Sequence, residues 1–271
     1  MDEKNIPEKY LVALKKLRLI DDTFFSACFD NNEKDVEYIL RIILDKSDLK
    51  VLKVQTQKSV ENIYGRSVRF DVFATDDSGK IYNIEVQRDD RGAIPARARY
   101  NSSMLDYHQL KKKAKFDELL ETFVIFITEH DVLHDDKKIY HVDRIIRETG
   151  KFFDDGTHII YVNGEYKGTK GEPLDDLIHD FFCENPEDMR HKQLAERVEF
   201  LKSNESEVRK MCRVIEEVFA EELAAGKQES EKSILLDNIR NLMETMKWSA
   251  EQAMSALKIP VDKQEELRPL I

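Results

Sequence analysis

The sequence predicts an α/β domain built on a mixed sheet and followed by an all-helical C-terminal region. Three features carry that prediction. Helically spaced apolar residues stand on either side of three consecutive strand-like segments. Residues 122–128 (Thr-Phe-Val-Ile-Phe-Ile-Thr) form a continuous apolar run of the kind buried on both faces of a parallel sheet. From residue 174 onward nearly every segment has helical periodicity.

In chain order, residues 33–45 place Val36, Ile39, Leu40, Ile43 and Leu44 on one stripe, which predicts an amphipathic helix. Residues 49–57, 68–75 and 81–88 alternate as strands, the last two joined through Asp76-Asp77-Ser78-Gly79, and so read as a meander. A helix over residues 96–113 precedes the apolar strand. A strand is expected over residues 139–142 and a hairpin over 158–166, turning at Asn163-Gly164. Helices are then expected over 174–182, 186–201, 205–225, 228–246, 249–257 and 261–270, with Gly226 as the clearest break. Ser249 followed by Gln252 signals a capping box. The expected division is a core over residues 1–170 and a helical region over residues 171–271.

Composition excludes several classes. With 41 % apolar and 36 % charged residues, nine Gly and six Pro, the chain is globular, and collagenous or disordered readings fail. Cys28, Cys183 and Cys212 are too few and too scattered for a disulfide framework and suit a reducing cytoplasm. The start of the chain lacks the basic-then-apolar order of a signal peptide, and no apolar run approaches a membrane span, so neither membrane nor export is expected. The net charge of −11 argues against a broad polyanion-binding surface. Its distribution is uneven, however. Residues 88–115 carry Arg88, Arg91, Arg97, Arg99, Lys111, Lys112, Lys113 and Lys115 against three aspartates. That local excess suits either phosphate contact or a solvated helix face.

The chemistry points to the central hairpin. Strand alternation puts Arg69, Asp71 and Phe73 on one face of their strand, and Asn83, Glu85 and Gln87 on one face of the next. A two- or four-residue loop would mix the polar and apolar faces. A three-residue loop, Asp77-Ser78-Gly79 with Gly79 left-handed, pairs Asp76 with Lys80 and sets Asp71 opposite Glu85. Carboxylates so placed repel, which raises one pKa or demands a cation. A hard divalent ion such as Mg²⁺ suits them, with the Val86 carbonyl as a further ligand. The alternative is a solvent-facing strand pair neutralised by Arg69.

These segments, Phe70-Asp71-Val72 and Ile84-Glu85-Val86-Gln87, are followed by Arg97-Ala-Arg-Tyr100, Ser103, Gln109-Leu110 and the apolar strand. Together with the early Asp22-Thr-Phe-Phe and the late Trp248-Ser-Ala-Glu-Gln-Ala-Met, they resemble the PD-(D/E)XK nuclease-family transposases, also called the recombination-promoting nuclease family. The resemblance spans roughly residues 18–250. It implies a restriction-endonuclease-like mixed sheet core flanked by helices, and Mg²⁺-dependent endonucleolytic cleavage of DNA with Mn²⁺ able to substitute. Asp71 and Glu85 take the places of the two metal-binding acids, with Val86 between them and Gln87. Gln87 stands where the wider superfamily has lysine, and Phe70 where it has proline before the first acid. A glutamine amide can only hydrogen-bond, so it would orient water or a phosphate oxygen, leaving water activation to the metal.

Arg97, Arg99 and Gln109 are the expected DNA contacts, since arginine forks match phosphate geometry. Glu37 or Glu33 is a candidate third acid on the first expected helix, against an ordinary exposed helical glutamate. His108, His130, His134 and His141 show no ligand spacing. The acidic tail reads as an oligomerisation or target-selecting region, and cutting both strands of DNA favours a homodimer. Two rivals stand beside the DNA endonuclease: a DNA-binding or protein-interaction module that has lost cleavage, and a defence-type nuclease.

Overall fold

The computed structural model describes residues 6–62, 65–110 and 113–271. Its elements run α1 (Glu8–Lys16), α2 (Asp22–Phe29), α3 (Glu33–Leu44), β1 (Val51–Val60), β2 (Val68–Asp76), β3 (Ile81–Gln87), α4 (Pro95–Gln109), β4 (Thr122–Thr128), β5 (Ile139–Val142) and β6 (Thr157–Asn163). Helices follow: α5 (Pro173–Phe181), α6 (Lys192–Ser203), α7 (Glu205–Met246), α8 (Ala250–Ala256) and α9 (Val261–Leu267). The six strands form one mixed sheet in the order β1-β2-β3-β4-β6-β5. The β1–β2–β3 meander is antiparallel, β4 lies parallel to both β3 and β6, and β5 closes the far edge antiparallel to β6. This is the expected mixed α/β core.

Local chemistry explains the elements. α3 buries Val36, Ile39, Leu40 and Ile43, is capped by Asn32 Oδ1 accepting from Asp35 N at 3.3 Å, and ends where Asp45 turns left-handed at φ 51°. Every residue of β4 is buried, as its unbroken apolar run requires. The α4 side of the sheet packs Ala98, Met104 and Leu105 against Phe73, Val124, Phe126 and Tyr161. α2 contributes Phe24, Phe25 and Phe29, all fully buried and worth about 1.5–3 kcal/mol each in apolar burial.

The hairpin turn closes as its sequence predicts. Asp76 N donates to Lys80 O at 3.1 Å, Gly79 N donates to Asp76 O at 3.1 Å, and Gly79 has φ +87°. The Asp76 carboxylate braces it further, accepting from Ser78 N, Ser78 Oγ, Lys80 N and the Tyr82 hydroxyl.

Several expectations are corrected. α1 and α2 stand ahead of the first expected helix. No hairpin forms over residues 158–166: β6 already has β4 on one side and β5 on the other, so no edge is left for a returning strand. The stretch expected as one helix over 186–201 begins as a short 3₁₀ turn, Pro186–Asp188, and α6 starts at Lys192, because the Asp180 carboxylate captures the N–H groups of Arg190 and His191. Gly226 does not break α7, whose 42 residues run through it. A helical glycine costs only about 1 kcal/mol relative to alanine, which continuous helix on both sides outweighs.

Two compact units result, Met1–Cys212 and Arg213–Ile271. The expected division at residue 170 therefore falls inside the first unit. Leu177, Ile178 and Phe181 of α5 are buried, Phe181 lies 6.0 Å from Phe25, and Arg197 of α6 donates to the carbonyls of Ala27 and Cys28. The second unit has its own core of Ile239, Ala253, Met254, Ile259 and Leu267. Its α8 starts at the expected capping box, with Ser249 Oγ accepting from Gln252 N and Gln252 Oε1 from Ser249 N.

Candidate active site

The β2–β3 ladder runs from Thr75↔Ile81 to Val72↔Ile84, and the same register sets Asp71 opposite Glu85. There the carboxylates take over from the backbone. Val86 N donates to Asp71 Oδ2 at 3.1 Å, and Asp71 N donates to Glu85 Oε1 at 3.4 Å. Each acid thus holds an amide of the other's strand. The N–H of Ile81 and the C=O of Gln87 bond on the β4 side, so alternation turns the C=O of Val86 toward β2 and Asp71.

The polar face of the hairpin is not solvated, because α4 covers it. Asp71 is 5 % exposed and both Glu85 and Asn83 are 0 % exposed. Arg97 and Asn101, one helical turn apart on α4, both reach that face. Arg97 Nη2 donates to Glu85 Oε2 at 2.9 Å and its Nη1 to Gly92 O at 2.7 Å. Asn101 reaches Asn83 Oδ1, and Asn83 Nδ2 donates to Glu85 Oε1 at 2.8 Å. Glu85 is therefore fixed on both oxygens.

Burial, followed by the charges of Glu85 and Asp22, pushes the Asp71 carboxyl well above the usual range, against the opposing Val86 N–H and Arg97. Burial also raises Glu85, while Asn83 and Arg97 restrain it. Asp22, at the N-terminus of α2, acts on both acids. It is held by Gln57, whose Nε2 donates to Asp22 Oδ1 at 2.9 Å and whose backbone, opposite Asp71 in β1, is left-handed at φ 49°. Two buried carboxylates, with Arg97 on one of them and the charge of Asp22 felt by both, make a hard, electron-rich oxygen pair. Such a donor set fits a divalent cation with oxygen preference.

The other sequence-predicted residues fall in different places. Gln87 follows Glu85 on the same strand, and its amide lies over Gly92: a Cβ there would fall 1.8 Å from Gln87 Oε1. Arg97 is bound to Glu85 rather than pointing freely outward. Arg99, about 200° further round α4, is exposed. Gln109 is at the far end of the helix, where its Oε1 accepts from Leu120 N at 2.9 Å and braces the approach to β4. Arg88 pairs with Asp21 and Glu129. Lys111 and Lys112 lie outside the described residues.

Glu37 is structural: its Oε2 accepts from Val51 N at 2.9 Å and its Oε1 pairs with Arg41. The further acid whose charge reaches the pair is Asp22, which the sequence does not single out as a site residue. The signal was present as an aspartate opening an apolar helix, yet that pattern equally marks a helix start. Tyr100, from the arginine-tyrosine segment, donates its hydroxyl to Arg66 O and ties down the β1–β2 connection.

A protein-family model described as PD-(D/E)XK nuclease family transposase matches residues 24–245. No curated protein and no solved structure gives a match.

Proposed function

Because the chain belongs to the PD-(D/E)XK nuclease family transposases, we propose that it is a metal-dependent endonuclease that hydrolyses phosphodiester bonds in DNA. The observation that carries this reading is the buried Asp71–Glu85 pair, joined by reciprocal side-chain to backbone hydrogen bonds and offset by only one arginine. Asp71, Glu85 and the Val86 carbonyl would hold Mg²⁺, or Mn²⁺ in its place, with Asp22 adding negative charge nearby. When bound, that ion supplies the positive charge that a scissile phosphate and its attacking water require.

The chain's own groups set the geometry. Asn83 and Arg97 fix the rotamer of Glu85, and Val86 N fixes that of Asp71. Gln87 orients a water or phosphate oxygen by hydrogen bonding alone. Arg97, 36 % exposed in its side chain, spans from the buried acid to the surface and can meet a phosphate there. Arg99, exposed on the opposite face of α4 from Arg97, would meet only a more distant part of the DNA backbone, whereas Gln109 already accepts from Leu120 N through its amide oxygen. In the wider reading the protein works in the cytoplasm as a homodimer, since two sites are needed to cut two strands. No helix among the described residues is long and apolar enough to cross a membrane.

Gln87, in place of lysine, favours one rival, a DNA-binding module without cleavage. Incubating the purified protein with supercoiled plasmid and Mg²⁺ separates the two. Nicked or linear product, absent with Asp71→Asn, supports the endonuclease. Intact supercoiled, linear and single-stranded DNA in both Mg²⁺ and Mn²⁺ would leave only the binding module.

Two variants probe Gln87. Gln87→Lys is expected to retain or raise the initial rate on plasmid, because an ammonium can reach the same phosphate oxygen. Gly92→Ala is expected to push the Gln87 amide aside and slow cleavage about tenfold, as loss of a positioning contact does. Its melting temperature should stay near wild type, because the clash is with the end of a flexible side chain.

A further inference from the structure

The end of α5 carries a second group of ligand-type side chains that the nuclease reading does not use. His179, Asp180 and Cys183 bring one ligand atom each to within 4.8 Å of one another. His179 Nδ1 lies 3.1 Å from Asp180 Oδ1 and 3.5 Å from Cys183 Sγ. Tetrahedral zinc, with Zn–N and Zn–O near 2.0–2.1 Å and Zn–S near 2.3 Å, needs edges of about 3.3 Å for N···O and about 3.6 Å for N···S. The two edges that meet at His179 Nδ1 are already close to those lengths.

Its surroundings fit as well. Asp180 is 0 % exposed, and its Oδ2 accepts from His191 N at 2.8 Å and lies 2.9 Å from His191 Nδ1. Oδ1 accepts from Arg190 N at 2.7 Å, which leaves it one further lone pair. The carboxylate is thus oriented from behind by a histidine and two amides, the arrangement that positions metal ligands. His179 is 36 % exposed in its side chain, so water can reach a fourth position.

We propose that His179, Asp180 and Cys183 form a second metal site, selective for a borderline divalent ion of the zinc type and distinct in chemistry from the all-oxygen site at Asp71 and Glu85. The mixed N, O and S donor set discriminates against Mg²⁺, which takes oxygen ligands only. The site would also clamp the C-terminal end of α5, where Phe181 O accepts from Ile20 N at 3.1 Å, two residues ahead of Asp22.

Cobalt titration of the full chain tests this directly, since thiolate–Co²⁺ charge transfer reports the sulfur ligand and visible d–d bands report tetrahedral geometry. One equivalent of Co²⁺ is expected to give both signals, and Zn²⁺ to displace it. Asp71→Asn should keep the signals, Cys183→Ser should lose the charge-transfer band, and His179→Gln should weaken Co²⁺ binding at least tenfold. Circular dichroism on each variant separates lost binding from lost fold, and His179→Gln, on a half-exposed residue, keeps the test open should Cys183→Ser fail to fold. No charge-transfer band in wild type, or an undiminished band in Cys183→Ser, would overturn the site. So would unchanged affinity in His179→Gln.

Discussion

Asp71→Asn and Glu85→Gln are each expected to lower plasmid cleavage by at least about 10³-fold, at the upper end of what removing one transition-state donor costs, because on the proposed reading each removes a ligand charge rather than a neutral contact. The two variants differ in how cleanly they do so. An asparagine at 71 keeps an oxygen to accept from Val86 N, so the strand pair stays intact. A glutamine at 85 has to place its NH₂ group either against the Arg97 fork or against the amides of Asn83 and Asp71. Some loss of stability is therefore expected with Glu85→Gln and none with Asp71→Asn. Rates with saturating Mg²⁺, set beside melting curves, check both halves; cutting within tenfold of wild type by folded Asp71→Asn protein would remove the carboxylate pair from the chemistry.

In metal-free buffer, the stability contributed by the Asp71–Glu85 pair is expected to fall as pH rises. Asp71 and Glu85 both have carboxyl groups raised by burial, so the native state keeps protons that the unfolded chain releases near pH 4. Where the native state binds more protons than the unfolded one, the free energy of unfolding declines with pH. That loss begins in the ordinary carboxylate range and runs through the raised native values, while Glu121, Asp131, Glu165, Asp176 and Asp180, whose carboxyls are held low, contribute in the opposite sense. Asp71→Asn removes one of the two buried charges, and each 1 kcal/mol so gained raises the melting temperature of a unit this size by about 2–4 °C. Mg²⁺, if it binds the folded state alone as proposed, is expected to restore wild type at the same pH and to do much less for the variant. Melting curves of the 1–212 unit's transition from pH 5 to 9, with and without Mg²⁺, give the comparison. Parallel pH profiles for metal-free wild type and Asp71→Asn would contradict the burial argument.

The hairpin was legible in the sequence because a period of two and one glycine leave few registers: Asp71 opposite Glu85 follows from the turn alone. β4 was equally legible, since seven buried residues in a row have few other places to go. Contacts between elements distant in sequence were not. Nothing local says that Arg97 ends on Glu85, that Gln109 braces Leu120, or that Glu37 serves Val51 while Asp22 pairs with Gln57. Each depends on how a helix is rolled against the sheet, which apolar periodicity defines only to within a face. The break expected at Gly226 failed for a different reason: a local preference of about 1 kcal/mol was read as a boundary, and the helix on both sides outweighed it.

The exchange of partners at the open end of the hairpin makes two backbone amides into reporters of side-chain state. The N–H groups of Asp71 and Val86 are shielded from solvent deuterium by carboxylate oxygens, whereas those deeper in the ladder are shielded by carbonyls. Local opening at these two positions therefore follows the chemistry of the acids rather than the unfolding of the sheet. Truncating Asp71 to alanine would free the Val86 amide for isotopic exchange while amides near Thr75 and Ile81 stay slow. The strand pair thus carries within its own main chain a probe of the site it frames.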